Sequence, residues 1–241
     1  MFWWQKQAGD GLRVAFTNTT AGNLALHVRD DPAQVLRRRA ALEAAMGIDP
    51  DSLAFMNQIH SADVAVARRA GADPAAGNPG AQAPTADALV SPDGSRPLAV
   101  MVADCVPVLL AGRSSTGALV TAAAHAGRRG LLDGILPHTV ERMRSFGAVA
   151  LQAWIGPSVC GACYEVPDAM LAESAALLPV LASRTRWGTA ALDLPAGVEH
   201  QLAGQGVRTE RVPGCTLETT DLYSHRRSSS AGRFAGLIWQ G

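Results

Sequence analysis

Three short segments of this chain set a soft ligand or reactive group among apolar residues or glycine: Asn57-Gln58-Ile59-His60, Ala103-Asp104-Cys105-Val106-Pro107-Val108 and Ala124-His125-Ala126-Gly127. Histidine, cysteine and histidine from three separate elements are the ligand count of a catalytic zinc site, which keeps its fourth position open for water or substrate. His60, Cys105 and His125 lie much too far apart along the chain for a zinc finger, whose ligands come in close pairs. The same residues also permit a rival chemistry, a Cys105 nucleophile activated by a histidine as in thiol hydrolases. Taken singly, a histidine beside apolar residues is ordinarily a hydrogen-bonded core residue, and a mid-strand cysteine a small hydrophobe. It is the combination, with glycines flanking His125, that points to a site.

These groups need a scaffold, and the pattern around them supplies one. Residues 12–28 read as short strands and turns. A helix follows at 32–46, with Pro32 in its first turn, Gly47 as its stop, and Val35, Leu36, Leu42 and Met46 as its apolar stripe. Leu53–Ile59 and Val64–Ala67 read as strands around His60. Residues 70–84, rich in Gly, Ala and Pro, read as a rim loop or lid. Leu98–Leu110 and Ala118–His125 read as strands joined by the polar turn 112–117. A hairpin centred there pairs Cys105 with residue 124 or its neighbour, and a slip or bulge near Pro107 would bring Cys105 and His125 onto one face. Helices are expected at 131–145 (disturbed at Pro137), 167–182 and 194–204, and strands at 149–155, 207–212 and 234–239. The expected fold class is α/β (α+β): a single domain over residues 1–241, a mixed β-sheet flanked by helices, with no internal repeat.

Other segments add polar chemistry. His125-Ala126-Gly127-Arg128-Arg129-Gly130 ends a strand and opens a helix, a turn whose exposed N–H groups suit an oxyanion or phosphate. Asp221-Leu222-Tyr223-Ser224-His225-Arg226-Arg227 and Ala231-Gly232-Arg233 gather guanidinium groups, the preferred two-pronged partners of phosphate or carboxylate. Cys160-Gly161-Ala162-Cys163 has redox or zinc-knuckle spacing. The sequence offers no second such pair to complete a zinc site and no thioredoxin-like setting, so it reads as structural.

Composition sets the outer bounds. Hydrophobic residues make up 48% of the 241 and charged residues 17%, which suits a packed globular chain and argues against disorder. Lys+Arg and Asp+Glu balance at 21 each, giving no electrostatic reason to expect nucleic acid or an anionic membrane. The start, Met1-Phe2-Trp3-Trp4-Gln5-Lys6, has no signal-peptide h-region, and no apolar run reaches the length of a membrane span. A cytoplasmic location, with free thiols, is the expectation.

The ordered series His60 with its Asn57-Gln58-Ile59, Asp87-Ala88-Leu89-Val90, Ala103–Val108, His125–Gly130, Ile155-Gly156-Pro157 with Tyr164-Glu165-Val166, and Tyr223–Arg227 with Gly232-Arg233 resembles the signature motifs of the laccase-domain family. That family is also called multicopper polyphenol oxidoreductase, peptidoglycan editing factor, or purine nucleoside phosphorylase of the bacterial YfiH type. The match runs from about residue 12 to 239. The resemblance implies an α/β fold related to cysteine-hydrolase toxins and a zinc held by His60, Cys105 and His125. It implies purine nucleosides and phosphate as small-molecule partners. The reactions implied are phosphorolysis of adenosine, inosine, guanosine and methylthioadenosine, and hydrolytic deamination of adenosine. His60, Cys105, His125 and Asp87 would be catalytic, Asp87 or Asp104 positioning substrate or moving a proton, with Arg39, Asp104, Arg227 and Arg233 binding substrate. Two departures stand out: Arg128 where the family has Trp, and Arg38-Arg39 where it often has Asn-Arg. The oxidoreductase name is tested by counting. A multicopper oxidase needs many histidines in His-x-His pairs, and this chain has six histidines and no such pair. A copper ion in the same soft site, in place of zinc, remains chemically open, since copper generally binds such ligands more tightly. So does the thiol reading, as a hydrolase or amidase of cell-wall precursor editing.

Overall fold

The central strands are apolar on both faces, and the computed structural model, which describes residues 1–68 and 83–241, shows where each face goes. Two sheets lie face to face, with helices on both outer surfaces. The first sheet has the order β1 (Phe2–Gln7), β2 (Leu12–Thr17), β12 (Phe234–Gln240), β5 (Leu98–Val102), antiparallel throughout. The second has the order β11 (Arg208–Arg211), β8 (Val149–Ile155), β6 (Val106–Arg113), β7 (Leu119–Ala126), β4 (Ala88–Ser91), β3 (Val64–Val66). Its outer pairs β11–β8 and β3–β4 are parallel and its inner pairs antiparallel. A small hairpin, β9 (Ala182–Arg184) with β10 (Ala190–Leu192), stands apart from both.

Between the sheets, Phe16, Val100 and Phe234 meet Leu89, Leu109 and Trp154. On the far side of the first sheet, Met101, Leu237 and Trp239 pack on Leu42 and Met46 of α1 (Pro32–Met46). On the far side of the second, Val108, Leu110 and Val120 pack on α2 (Arg128–Leu132), α3 (Ile135–Ser145) and α5 (Leu194–Gly204) through Leu131, Ile135 and Val198. Each such side chain, fully buried, contributes about 1.5–3 kcal/mol. The remaining helix, α4 (Asp168–Leu177), covers β9 and β10. The chain is therefore a single mixed α/β domain. Among the described residues no helix is long and apolar enough to cross a membrane.

The expected helix at 32–46 forms as drawn: Asp31 caps it by accepting from the Ala33 N–H, and Gly47 closes it at φ 70°. Leu36, however, faces solvent, so the stripe is Val35, Leu42 and Met46. The 149–155 strand and the 194–204 helix also form with the expected bounds. Other expectations need correction. Leu53–Ile59 is not a ladder strand; it makes only single bridges, Ala54 to Leu98 and Asn57 to Thr85. The apolar run 98–110 is two strands in two different sheets, broken at 103–105. The β6–β7 pairing runs unbroken through Pro107, which faces His125, so the register continues to Cys105 opposite Gly127 and not residue 124. Pro137 disturbs nothing, because it lies in the first turn of α3, where its missing N–H is not needed. The break falls instead at Gly134, φ 90°. The 167–182 helix stops at Leu177, and a 3-10 turn (Pro179–Leu181) leads into β9. Strands β1, β4, β9 and β10 were not anticipated. The expected lid at 70–84 falls almost wholly outside the described residues.

Candidate active site and metal centre

Cys105 sits where the chain crosses from the first sheet to the second. The crossing is sharp: Asp104 takes φ 91°, a left-handed conformation uncommon outside glycine. That turn is held by its own side chain, which accepts from Thr216 Oγ1 (2.6 Å) and the Arg226 N–H (2.8 Å), while its carbonyl accepts from the Val159 N–H. His125 is the penultimate residue of β7. His60 stands at φ 62° just before β3. The Gln58 amide fixes that segment to β5, donating to the Met101 carbonyl (2.7 Å) and accepting from the Met101 N–H (2.9 Å).

The three residues converge. His60, Cys105 and His125 each offer a donor atom, and these atoms lie within 4.8 Å of one another. Cys105 Sγ is 3.8 Å from His60 Nε2, and the two imidazoles meet edge to face at 4.8 Å between centroids. Glycine makes the approach possible. A Cβ on Gly127 would fall 2.7 Å from His60 Cδ2 and 3.3 Å from Cys105 Sγ, and one on Gly130 would fall 2.5 Å from the Ser61 carbonyl. The glycines of the 125–130 segment are thus needed for packing the turn against His60 and Ser61.

Asp87 organises the cluster from behind. Its side chain is fully buried. One oxygen accepts from His125 Nδ1 (2.7 Å) and the His60 N–H (3.0 Å). The other accepts from the N–H groups of Ile59 (3.1 Å) and Ser61 (2.6 Å) and the Ser61 hydroxyl (2.9 Å). A carboxylate only accepts, so His125 carries a proton on Nδ1, and it is Nε2 that gives up its proton to present a lone pair when a metal binds. This carboxylate–imidazole pairing is the arrangement that orients metal-binding histidines. Asp87 therefore positions His60 and His125 from behind and is not part of the cavity wall.

The charges agree. Burial acts to raise the Asp87 carboxyl, but the hydrogen bond and charge of His125 and the Ser61 donors outweigh it, bringing it down to about 2. Burial likewise acts to raise the Cys105 thiol, yet the charge and hydrogen bond of His125, with those of His60, lower it to about 6. For His125, burial acts downward, and the Cys105 thiolate and Asp87 override it, raising the imidazole to about 9. The site favours a thiolate beside a cation. Either a metal or a thiol mechanism can use that.

The cluster opens into a cavity of about 340 Å³, within the range of small-molecule sites. Arg226 and Arg233 line it, as do Tyr164, His27, His225 and Gln58. Arg226 lies over the Tyr164 ring, 4.5 Å from its centroid, and donates to the Glu165 carbonyl (2.6 Å). Arg233 donates to the carbonyls of Ala231 (2.6 Å) and Gly232 (3.1 Å). The other expected arginines are elsewhere. Arg227 spends its guanidinium on the carbonyls of Thr216, Leu217, Thr219 and Leu222, and is a brace for the 216–222 loop. Arg39 donates to the Leu24 carbonyl (2.9 Å) and stacks on Phe55 (3.7 Å), behind the cavity wall. Arg128 turns to Ser174 and Glu173 of α4, and Arg129 to Asp133, so the 126–130 turn brings no arginine to the cavity. Asp104 faces the cavity but its carboxylate is committed to Thr216 and Arg226. His27, on an irregular segment with no motif around it, gave no sequence signal.

Comparison with known proteins places these residues in context. Residues 11–241 match the family described as multi-copper polyphenol oxidoreductase laccase. A curated relative, "Purine nucleoside phosphorylase SCO2081" of Streptomyces coelicolor, is 42% identical over 98% of each chain. Another from Corynebacterium glutamicum, also named a purine nucleoside phosphorylase, is 43% identical over 95% of this chain and 94% of its own. Among solved structures, Neisseria meningitidis protein NMB0706 superposes with a TM-score of 0.80 at 29% identity, covering 99% of this chain and 98% of that one.

Proposed function

This chain belongs to the multi-copper polyphenol oxidoreductase laccase family, and we propose that within it the chain is a zinc-dependent purine nucleoside phosphorylase that also deaminates adenosine hydrolytically. One observation carries the reading: a His60–Cys105–His125 cluster, backed by Asp87, opens into a cavity whose wall bears Arg226 and Arg233. The relatives' names support the same class of reaction.

The donor set fits a metal. Two imidazoles and a thiolate, with Asp87 fixing the tautomer of His125, form a three-ligand set with one open position, and zinc prefers such N and S ligands. A zinc bound there supplies Lewis-acid polarisation of the substrate and a water of lowered pKa. The chain's own residues do the rest. Tyr164 offers an aromatic face to the purine, and Arg226 and Arg233 hold phosphate against the sugar, where it displaces the base at C1′ to give pentose 1-phosphate. His225, on the cavity wall, is the candidate proton donor to the departing purine, while burial and the charge of Arg233 lower the His27 imidazole and suit it to hydrogen-bond the base in its neutral form. Deamination leaves the glycosidic bond intact and uses no phosphate.

A second reading has an observation of its own: the lowered Cys105 thiol beside His60 suits a thiol hydrolase or amidase. Incubating the protein with adenosine, inosine, guanosine and methylthioadenosine, with and without phosphate, separates the two. The proposal expects free base and pentose 1-phosphate only when phosphate is present, and ammonia from adenosine in either case, with both activities lost on chelation. Unchanged nucleosides at high enzyme concentration, or full activity in metal-free protein, overturn it. Metal analysis of the same protein distinguishes zinc from copper.

A further inference from the structure

Three of the four cysteines are not in the catalytic cluster, and the fold brings all three together. Cys160 and Cys163, which the sequence leaves without a second pair, meet Cys215 and Glu218. Their donor atoms all lie within 4.8 Å of one another. None of the three is in a disulfide. A tetrahedral zinc with bonds of about 2.3 Å to sulfur sets its sulfurs about 3.8 Å apart, so only a small inward shift separates this group from a coordination shell.

The backbone makes the group a built site. Cys160 to Cys163 is one tight turn, closed by the Cys163 N–H on the Cys160 carbonyl (2.9 Å). Cys215 to Glu218 is a second turn of the same kind, closed by the Glu218 N–H on the Cys215 carbonyl (3.1 Å). Each turn offers ligands at its first and fourth residues. The two turns are fastened together by the Ser158–Cys215 bridge and by the Thr216 N–H on the Ser158 carbonyl. One cation is already present: Arg186 pairs with Glu218 and lies 3.6 Å from Cys163 Sγ. A dication with three thiolates and a carboxylate carries two negative charges in excess, and Arg186 offsets one of them.

We propose that Cys160, Cys163, Cys215 and Glu218 form a second metal site, a closed four-ligand structural centre for zinc, separate from the His60–Cys105–His125 cluster. Four protein ligands leave no open position, which is the mark of a structural site. Its place tells what it holds. The residues beside its cysteines, Val159 and Thr216, both donate to Asp104, the first to its carbonyl (3.0 Å) and the second to its carboxylate (2.6 Å), which also accepts from the Arg226 N–H. The centre therefore locks together the two loops that fix the Asp104–Cys105 turn.

Cobalt(II) is the probe. In the Cys105→Ala protein, which keeps no thiolate at the first cluster, one equivalent of cobalt should give a thiolate-to-metal charge-transfer band and the visible bands of a tetrahedral ion. Cys215→Ser should remove or sharply reduce both. In the unmodified chain, zinc should protect Cys160, Cys163 and Cys215, besides Cys105, from a thiol reagent under native conditions, each read by peptide mapping, a measurement that needs no variant to fold. Absence of the charge-transfer band in Cys105→Ala, or equal reactivity of Cys160, Cys163 and Cys215 with and without zinc, overturns the proposal. So does a Cys160–Cys163 or Cys160–Cys215 disulfide in protein isolated without oxidant. The band appearing in Cys105→Ala while the unmodified chain binds no metal at the first cluster would sink the catalytic-metal reading and leave this one intact.

Discussion

Replacing Asp87 by Asn tests how the cluster is assembled. The change keeps the size of the side chain and removes one acceptor. Five donors now share two carboxylate oxygens: His125 Nδ1 and the His60 N–H on one, the Ile59 and Ser61 N–H groups and the Ser61 hydroxyl on the other. An amide must turn its NH₂ towards one of these sets. Facing Ile59 and Ser61, it leaves two buried N–H groups without an acceptor, at about 1–3 kcal/mol each. Facing His125, it leaves the single His60 N–H without an acceptor and forces the imidazole to accept at Nδ1, which moves the proton to Nε2 and removes the lone pair a metal needs. The second arrangement costs less, so Asp87→Asn should fold and bind zinc about 10- to 100-fold more weakly, as losses of such supporting carboxylates generally do. Competition titration against a chromophoric chelator reads the affinity, and a urea midpoint reads the stability. Unchanged zinc affinity would refute the argument that Asp87 sets the tautomer of His125.

The arginines divide by what their guanidinium groups touch. Arg233→Lys should lower phosphorolysis about ten- to a hundredfold, the worth of roughly 1.5–3 kcal/mol for a bond to a charged group, and leave adenosine deamination nearly unchanged. Arg227→Lys should instead lower the unfolding midpoint and both activities together, because it loses the carbonyls of the 216–222 loop; a phosphate-selective loss would return Arg227 to the cavity. In chelated protein, alkylation of Cys105 should rise through a pH of about 6 and then level off, where an ordinary thiol rises through about 8.5. The sign follows from the lowered thiol: the thiolate persists above pH 6 and is lost below it. Alkylation that rises only near the ordinary value contradicts the thiolate–imidazolium pairing.

What the sequence disclosed and what it hid follow from the range of the interactions concerned. Asp31, Pro32 and Gly47 bound α1 through local hydrogen bonds and dihedrals, so the helix is legible from neighbours alone. The cluster residues His60, Cys105 and His125 are legible as residue types in unusual company. Their geometry is not, because the 98–110 run is apolar on both faces and gives no sign that Asp104 turns it from one sheet into another. Residue type also cannot tell a guanidinium facing a cavity from one facing carbonyls, hence Arg227 was expected where Arg226 stands. Cys160 and Cys163 read as lacking a second pair because the residues they meet, Cys215 and Glu218, are distant in the chain and include only one cysteine.

Turnover by Cys105→Ala tests the central claim most directly, read with inosine and phosphate and alongside an unfolding midpoint. Cys105 is part-exposed at a cleft wall, so the substitution should cost little stability. Formation of hypoxanthine and pentose 1-phosphate should nevertheless cease, because one of the three ligands is gone. A folded Cys105→Ala protein that cleaves inosine at the rate of the unmodified chain would show that the His60–Cys105–His125 cluster is not the catalytic centre.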